Sequence, residues 1–302
     1  MRRFAVGVDG GGSGTRVVVA NAQGTVLGKA SAGPSALGLG TDAAWREITE
    51  ATLAAFASAG LPFDWQACAL CCGLSGVNNV MWRTAFEAST PQGATVQLVS
   101  DAYTTLWGAH AGQAGVVVAL GTGSIAAALV SVPEASSTGE PVLEERISGG
   151  YGFPSGDEAS GAWLGLRAIV YLQQVMDGRR EGDDFAAALR DLVGVTTRDA
   201  LVGWSCDANQ TAYATLAPTV IAFGTRAAPH AFAHALLGQA GEEIARMIDA
   251  LDPEGGLPIA LSGGLAEPLR PFVPARFKVR LRAPLADSVG GALSLALEHM
   301  RG

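Results

Sequence analysis

FAVGVDGGGSGTRVVVA, residues 4–20, decides how this chain reads. An apolar run, 4–8, meets Asp9, then Gly10, Gly11, Gly12, Ser13, Gly14 and Thr15, and a second β-branched run follows. Runs of this kind read as short buried strands. Glycines between them accept φ > 0 at little cost. A cluster of turned N–H groups binds anions, phosphate above all. A Rossmann or P-loop glycine loop opens a helix. This one opens Val17, Val18 and Val19, and neither G-x-G-x-x-G nor Gly-Lys-Ser/Thr occurs in the stretch. It therefore reads as the tip of a β-hairpin with Asp9 ending its first strand, either a phosphate loop or an ordinary glycine-rich turn.

A second copy favours phosphate. Residues 116–131 read VVVALGTGSIAAALVS, again a strand, a short loop (Gly121, Thr122, Gly123, Ser124) and a strand. One such signature in each half predicts two related domains whose tips face each other across a hinged cleft and hold a polyphosphate.

Composition agrees. The chain has 302 residues, 49% of them hydrophobic, which suffices for two α/β cores. The formal charge is −8 and no basic run exists, which argues against nucleic acid as a partner. Lys29 and Lys278 are the only lysines, so backbone N–H groups, hydroxyls and metal are expected to hold the phosphate. No apolar stretch suits a signal peptide or a membrane span, and the cytoplasm is the expected location. Cys68, Cys71 and Cys72 fall in an apolar strand-like run and, with Cys206, lack zinc-site spacing, so they read as free thiols. His230 and His234 lack the Glu of a HExxH motif and read as surface or packing residues.

Along the chain, 17–30 reads as a hairpin turning at 21–24. A helix is expected over 41–59, with Trp45, Ile48, Leu53 and Phe56 on or near one face. A strand over 67–74, a helix over 80–89 and a strand over 95–99 lead to Ser100 and Asp101, where a helix begins. In the second half, 133–145 reads as an exposed turn or flap. Helices are expected over 158–177, 183–193, 208–224 and 229–251. A strand over 257–261, a helical run over 265–273, a strand near 277–281 and a last helix over 286–300 complete the alternation of an α/β protein.

Three further groups carry chemistry. Asp101 ends a strand and opens a helix, at the sheet edge where α/β ligands bind. It reads either as a helix N-cap or as the base that deprotonates an attacking hydroxyl, and a helix N-terminus favours its ionised form. Gly149, Gly150, Tyr151 and Gly152, with Gly156, Asp157 and Glu158, form a second polar lobe whose glycines admit a ligand close to the backbone. Its carboxylates suit sugar hydroxyls or the acidic first turn of helix 158–177. Ser262, Gly263 and Gly264 end a strand with bare backbone that suits an adenosine.

Together these motifs resemble the sugar kinase/heat-shock protein 70/actin ATPase superfamily, and within it the BadF/BadG/BcrA/BcrD group with its N-acetylglucosamine and glucosamine kinases. Asp9 to Thr15 looks like the first phosphate motif, Leu120 to Ser124 the second and Ser262 to Ala266 the adenosine motif. Ser100-Asp101, with Gly108-Ala109 following, matches the segment of the catalytic aspartate. Gly149 to Gly152 with Gly156 to Glu158 resembles the Gly-Trp-Gly…Gly-Asp-Glu block on the sugar side, with Tyr151 where Trp is usual. The loop Gly33-Pro-Ser-Ala36 lacks the Asn that those kinases often place there.

The resemblance implies an α/β fold of two ribonuclease H-like (actin-like ATPase) domains with an interdomain cleft. The first would span 1–110, completed by the C-terminal helix 286–302, and the second 111–285. It implies phosphorylation of N-acetylglucosamine or glucosamine at the C6 hydroxyl, with ATP and Mg2+, and a homodimer. Asp101 would be the base, and Asp9 would orient the metal through water. Gly11, Gly12, Ser13, Thr15, Gly121, Thr122 and Gly123 would hold phosphates, and Gly263 and Gly264 the adenosine. Ser35, Asp101, Thr122, Gly150, Tyr151, Gly152, Asp157 and Glu158 would face the sugar. Two rivals remain. An ATPase that activates a radical dehydratase or reductase needs cysteines for an iron–sulfur cluster beside the second loop, where this chain has none. A sugar-sensing regulator commonly carries a helix-turn-helix ahead of the first strand, and here that strand is expected at Phe4.

Overall fold

The computed structural model describes residues 2–132 and 142–301. The chain divides into two compact units. Unit 1 comprises Met1–Gly115, Leu129–Glu145 and Ala283–Gly302, and unit 2 comprises Val116–Ala128 and Arg146–Arg282. Leu129–Glu145, expected within a second domain spanning 111–285, falls in unit 1.

Unit 1 holds β1 (Phe4–Gly10), β2 (Thr15–Asn21), β3 (Val26–Ala32), β4 (Cys68–Leu74) and β5 (Thr95–Ser100) in the order β3-β2-β1-β4-β5. β2 runs antiparallel to β1 and β3, while β4 and β5 run parallel to β1. This is the ribonuclease H-like order. The pleat sends alternate side chains to opposite faces. Phe4, Val6, Val8, Val17 and Val19 enter one core with Leu70 and Leu74, whereas Ala5, Val18, Ala20 and Cys71 enter the other. The first core is covered by α1 (Thr41–Ser58) and α2 (Val80–Ala88), where Trp45 stacks on Phe86 with ring centres 4.4 Å apart. Leu53, expected on or near the buried face of α1, is exposed because it lies one residue off the stripe of Trp45, Ile48 and Phe56; Thr52 falls on that stripe and is buried. α3 (Asp101–His110) follows β5.

β6 (Gly115–Leu120), β7 (Ser124–Val132), β8 (Val142–Gly149), β9 (Ile259–Ser262) and β10 (Leu281–Arg282) form a second sheet, β10-β9-β6-β7-β8, most of whose residues belong to unit 2. With β6 taken as first, this repeats the order of the first sheet. The helices are α4 (Gly161–Met176), α5 (Asp184–Val193), α6 (Arg198–Asp207), α7 (Gln210–Ala214), α8 (Ala217–Thr225), α9 (Ala231–Leu251), α10 (Ala266–Leu269) and α11 (Ala275–Lys278). Finally α12 (Ser288–Arg301) lies on the second core of unit 1. It comes so close to β1 that a Cβ on Gly7 would sit 2.4 Å from the backbone nitrogen of Leu293.

Several boundaries differ from the sequence reading. The expected helix 208–224 is two helices, α7 and α8, because Pro218 in the first turn of α8 has no N–H to continue a helix through it. α6 was not expected at all; it buries only Leu201, so apolar periodicity is missing. The strand expected near 277–281 is instead the short helix α11, set off by Pro274, followed by the two-residue β10. Of the expected flap, 133–141 lies outside the described residues and 142–145 already belong to β8.

Candidate active site

The register of the first sheet sets three strand ends side by side. Asp9 pairs with Gly73 and Gly73 with Val99; Gly10, Leu74 and Ser100 form the next row. Asp101 comes immediately after, at the carboxyl edge of the sheet. Ser100, not Asp101, caps α3, its hydroxyl accepting the Tyr103 N–H at 3.0 Å. Asp101 takes the first helical position and accepts the Ala102 N–H at 2.9 Å. The capping role thus belongs to its neighbour. Asp101 lines a cavity of about 540 Å³ with Asp9, Gly11, Ser13, Thr15 and Arg16.

A helix N-terminus lowers a carboxyl pKa, but here a larger effect opposes it. Burial pushes the Asp101 carboxyl above the ordinary carboxylate range; the Ala102 N–H pulls it back, and the charge of Asp9 adds to the rise. Asp101 is therefore a more basic carboxylate than its helix position alone predicts.

The first glycine loop differs from expectation in two ways. None of Gly10, Gly11, Gly12 or Gly14 has a positive φ. What glycine supplies is room: a Cβ on Gly11 or Gly12 would meet nothing within 4 Å. Gly11 closes the loop on itself, its N–H donating to Gly14 O at 3.1 Å. The second difference is charge. Arg16 reaches back to Asp9 Oδ2 at 2.6 Å and forward to Asp287 at 2.8 Å, so the cavity holds a cation despite the scarcity of lysine. Burial works against that charge, and the bonds to Asp9 and Asp287 outweigh it. Its alternation with the buried Thr15 and Val17 was the signal for its outward position.

Thr15 and Ser35 turn inward. The Thr15 hydroxyl donates to Gly33 O at 2.6 Å and meets the Ser35 hydroxyl at 2.7 Å. Ser35 is fully buried, and its hydroxyl answers to Thr15 in the loop after β3.

In unit 2 the second loop is seated on the start of α4. Gly121 N–H donates to Gly123 O at 2.9 Å, Gly161 N–H to Gly121 O at 2.8 Å and Ala162 N–H to Thr122 O at 3.1 Å. Ser160 caps α4, so Asp157 and Glu158 precede the helix rather than fill its first turn. Asp157 is 5% exposed and sits at φ 57°, a left-handed conformation that favours glycine. Its Oδ1 accepts the Gly152 N–H at 3.2 Å and its Oδ2 the Gln210 side-chain amide at 2.6 Å. Burial raises its pKa, against the pull of the Gly152 and Ser124 N–H groups and of Gln210. Asp157 thus faces protein donors and clamps Gly152 to the second loop. The Ser124 hydroxyl donates to Glu158 O at 2.6 Å.

Gly150 and Gly152 have φ of 71° and 84°, and Tyr151 between them is 88% exposed. Gly263 has φ 90°, and a Cβ there would lie 2.3 Å from Leu120 O, whereas Gly264 faces open space. Leu265 N–H donates to the same Leu120 O at 3.0 Å. Unit 2 therefore gathers Gly121, Thr122, Gly123, Gly152, Asp157, Glu158 and Gly263 around the end of β6 and the start of α4. Gln210 was missed, since nothing around it in sequence marks a lone Gln on a five-residue helix.

Cys68, Cys71 and Cys72 are buried free thiols, and Cys206 is an exposed one. Burial pushes the Cys68 and Cys71 thiols up to about 12 and raises that of Cys72 as well, so they stay protonated. Among the described residues no group of three or more His, Cys, Asp and Glu is placed to hold a metal ion. No described helix is long and apolar enough to cross a membrane.

Comparison with known proteins agrees with this arrangement. Glucosamine kinase of Vibrio cholerae is 29% identical over 294 residues, covering 97% of this chain and 95% of that protein. N-acetylmuramic acid/N-acetylglucosamine kinase of Clostridium acetobutylicum is 25% identical over 206 residues, 67% of this chain and 64% of the relative. A solved structure from Chromobacterium violaceum, provisionally named an N-acetylglucosamine kinase, superposes with a TM-score of 0.89 at 44% identity, over 98% of this chain and 99% of the other. The sequence profile of the BadF/BadG/BcrA/BcrD ATPase family matches residues 6–273, which span both glycine loops and the carboxylate at the end of β5, and the chain belongs to that family.

Proposed function

We propose that this protein is an ATP-dependent kinase of an amino sugar, glucosamine or N-acetylglucosamine, and that it transfers the γ-phosphoryl group to the C6 hydroxyl. The names of its relatives support the substrate class. One observation carries the chemistry: Asp101 stands at a sheet edge beside a glycine loop, is relieved of capping by Ser100, and has a raised pKa.

Phosphoryl transfer is mostly positioning and charge stabilisation. Asp101 accepts the proton of the attacking hydroxyl. Gly11, Gly12 and Ser13 offer an uncrowded backbone to the phosphates, with the charge of Arg16 beside them. Gly121, Thr122 and Gly123 take a second phosphate group, and Gly263 and Gly264 the adenosine. Gly150, Tyr151, Gly152 and Glu158 face the sugar, with Asp157 holding Gly152 in place. The donor set also suits a hard cation, which prefers oxygen ligands. Asp9 and Asp101 share one cavity, and both bonds from Arg16 to Asp9 fall on Oδ2. Asp9 would hold hydrated Mg2+, which supplies charge neutralisation of the β- and γ-phosphates.

The test is an ADP-release assay with ATP, Mg2+ and, in turn, glucosamine, N-acetylglucosamine, N-acetylmuramic acid, N-acetylmannosamine and glucose. Turnover on an amino sugar, with phosphorus–proton NMR correlations to C6 of the product, is expected. No turnover on any of the five sinks the assignment.

A further inference from the structure

A second cavity in unit 2, of about 590 Å³, opens between α4 and α9, and its lining includes none of the glycines of the second loop or of the sugar-side block. Trp163 and Arg167, one turn apart on α4, form one wall. Gln239, Glu242, Glu243 and Arg246 form the other, spaced along one face of α9. A helix–helix contact would normally be apolar at such positions; here the opposed faces are polar and leave a gap.

Arg167 is the unusual member. Its guanidinium lies 3.6 Å over the buried Trp163 ring, and its one hydrogen bond among the described residues is a long one, 3.4 Å to the Trp163 carbonyl. Among the described residues no carboxylate pairs with it. Burial lowers its pKa, opposed only by the more distant charges of Glu243 and Glu158. A stacked guanidinium keeps its edge free, and that fork of N–H groups matches a phosphate or carboxylate. An anion there would repay the desolvation that Arg167 already bears.

The cavity is not simply basic. Arg167 and Arg246 are balanced by Glu242 and Glu243, so the formal charges cancel, and Arg246 is held by Glu243 at 2.6 Å. A ligand that matches this set carries an anion at one end and a cation at the other. Gln239 adds an amide for hydroxyls. The volume falls in the range of small-molecule sites.

We propose that this cavity binds a hexosamine phosphate, with the phosphate on Arg167 and the ammonium against Glu242. The choice of hexosamine rests on the amino-sugar kinase reading, of which such a compound is the product; the anion site itself does not.

The test is calorimetric titration of glucosamine 6-phosphate, glucose 6-phosphate and inorganic phosphate into protein saturated with glucosamine and free of nucleotide, so that the substrate pocket is filled and no turnover occurs. Glucosamine 6-phosphate is expected to bind one further site, roughly tenfold tighter than glucose 6-phosphate, as loss of one charged contact implies. Inorganic phosphate should bind more weakly still. Arg167→Met should weaken glucosamine 6-phosphate by at least about tenfold. Glu242→Gln, at an exposed position, should erase the preference for the amino sugar and keep phosphate binding; it also reads the site if Arg167→Met fails to fold. Absence of a second binding event, or affinities unchanged in both variants, overturns the proposal. Failure of the kinase reading shows elsewhere, as absent ADP release, and leaves the dependence on Arg167 measurable.

Discussion

The two glycine loops share a strand–loop–strand signature and a place in equivalent sheets, yet they are built in opposite ways. The first has open space at Gly11 and Gly12, no positive φ and an exposed tip. The second is crowded: a Cβ on Gly123 would lie 2.7 Å from Asp157 Oδ2 and 3.0 Å from the Gln210 amide. Glycine serves access at Gly11 and Gly12, the tip of the first loop, and packing at Gly123 of the second, as it does at Gly10, where a Cβ would lie 2.0 Å from Ser35 Oγ. The same residue type therefore carries different consequences when it is replaced.

The largest stability effect belongs on the crowded side. Gln210→Leu removes the amide that meets Asp157 Oδ2 at 2.6 Å and leaves a buried carboxylate oxygen short of a donor. Losses of this type cost about 1–3 kcal/mol, more for charged groups. Thermal unfolding should show a loss near the top of that range, and the Michaelis constant for the sugar should rise because Gly152 loses its anchor. Rescue by Gln210→Asn is expected to be poor, because the shorter side chain does not reach. An unchanged melting temperature would break the claim that the second loop is held by packing.

Next comes Gly123→Ala. Asp157 is pinned from three sides, so the added methyl forces the loop to move, and overpacking of this kind costs about 1–3 kcal/mol. Denaturant unfolding and turnover should fall together. The smallest effect is Gly12→Ala on the open side. The backbone there accepts Ala and nothing crowds it, so the stiffer unfolded chain should stabilise the fold by about 0.4–1 kcal/mol. The Michaelis constant for ATP should nevertheless rise. Destabilisation by Gly12→Ala, or indifference to Gly123→Ala, would dissolve the contrast.

How much of this was legible without a structure follows the range of the forces involved. Strands such as β1 and β4 are buried on both faces, so their apolar runs stand out in sequence. Asp101 was visible because a strand end and a helix start are local events. The division of labour between Ser100 and Asp101 was not, since both residue types suit an N-cap. Arg16 looked like one polar residue in a strand; only the fold brings Asp9 and Asp287, 271 residues apart from Arg16 in the latter case, to its guanidinium. That Asp157 is buried and accepts the Gln210 amide, 53 residues away, is not visible in the sequence around it. The contact of the Ser35 hydroxyl with Thr15, 20 residues away, is equally out of reach of the sequence. α6 escaped notice because a helix that buries one leucine leaves no apolar stripe.

The central claim is that Asp101 is a base and not a structural residue, and Asp101→Asn tests it most directly. Burial raises the folded-state pKa of Asp101 above its unfolded value, so the folded protein binds its proton more tightly. The ionised form then opposes folding, and this penalty sets in as pH rises through the unfolded pKa and is complete above the folded one. At neutral pH the neutral isostere escapes it, and Ser100 still caps α3. Asp101→Asn should therefore melt at the wild-type temperature or above, while the turnover number on the amino sugar falls by roughly 10²–10⁴. In the wild type, kcat/KM should rise with pH through an apparent pKa above the ordinary carboxylate range and then level off. An Asp101→Asn protein that melts earlier yet phosphorylates the sugar at the wild-type rate would contradict the account.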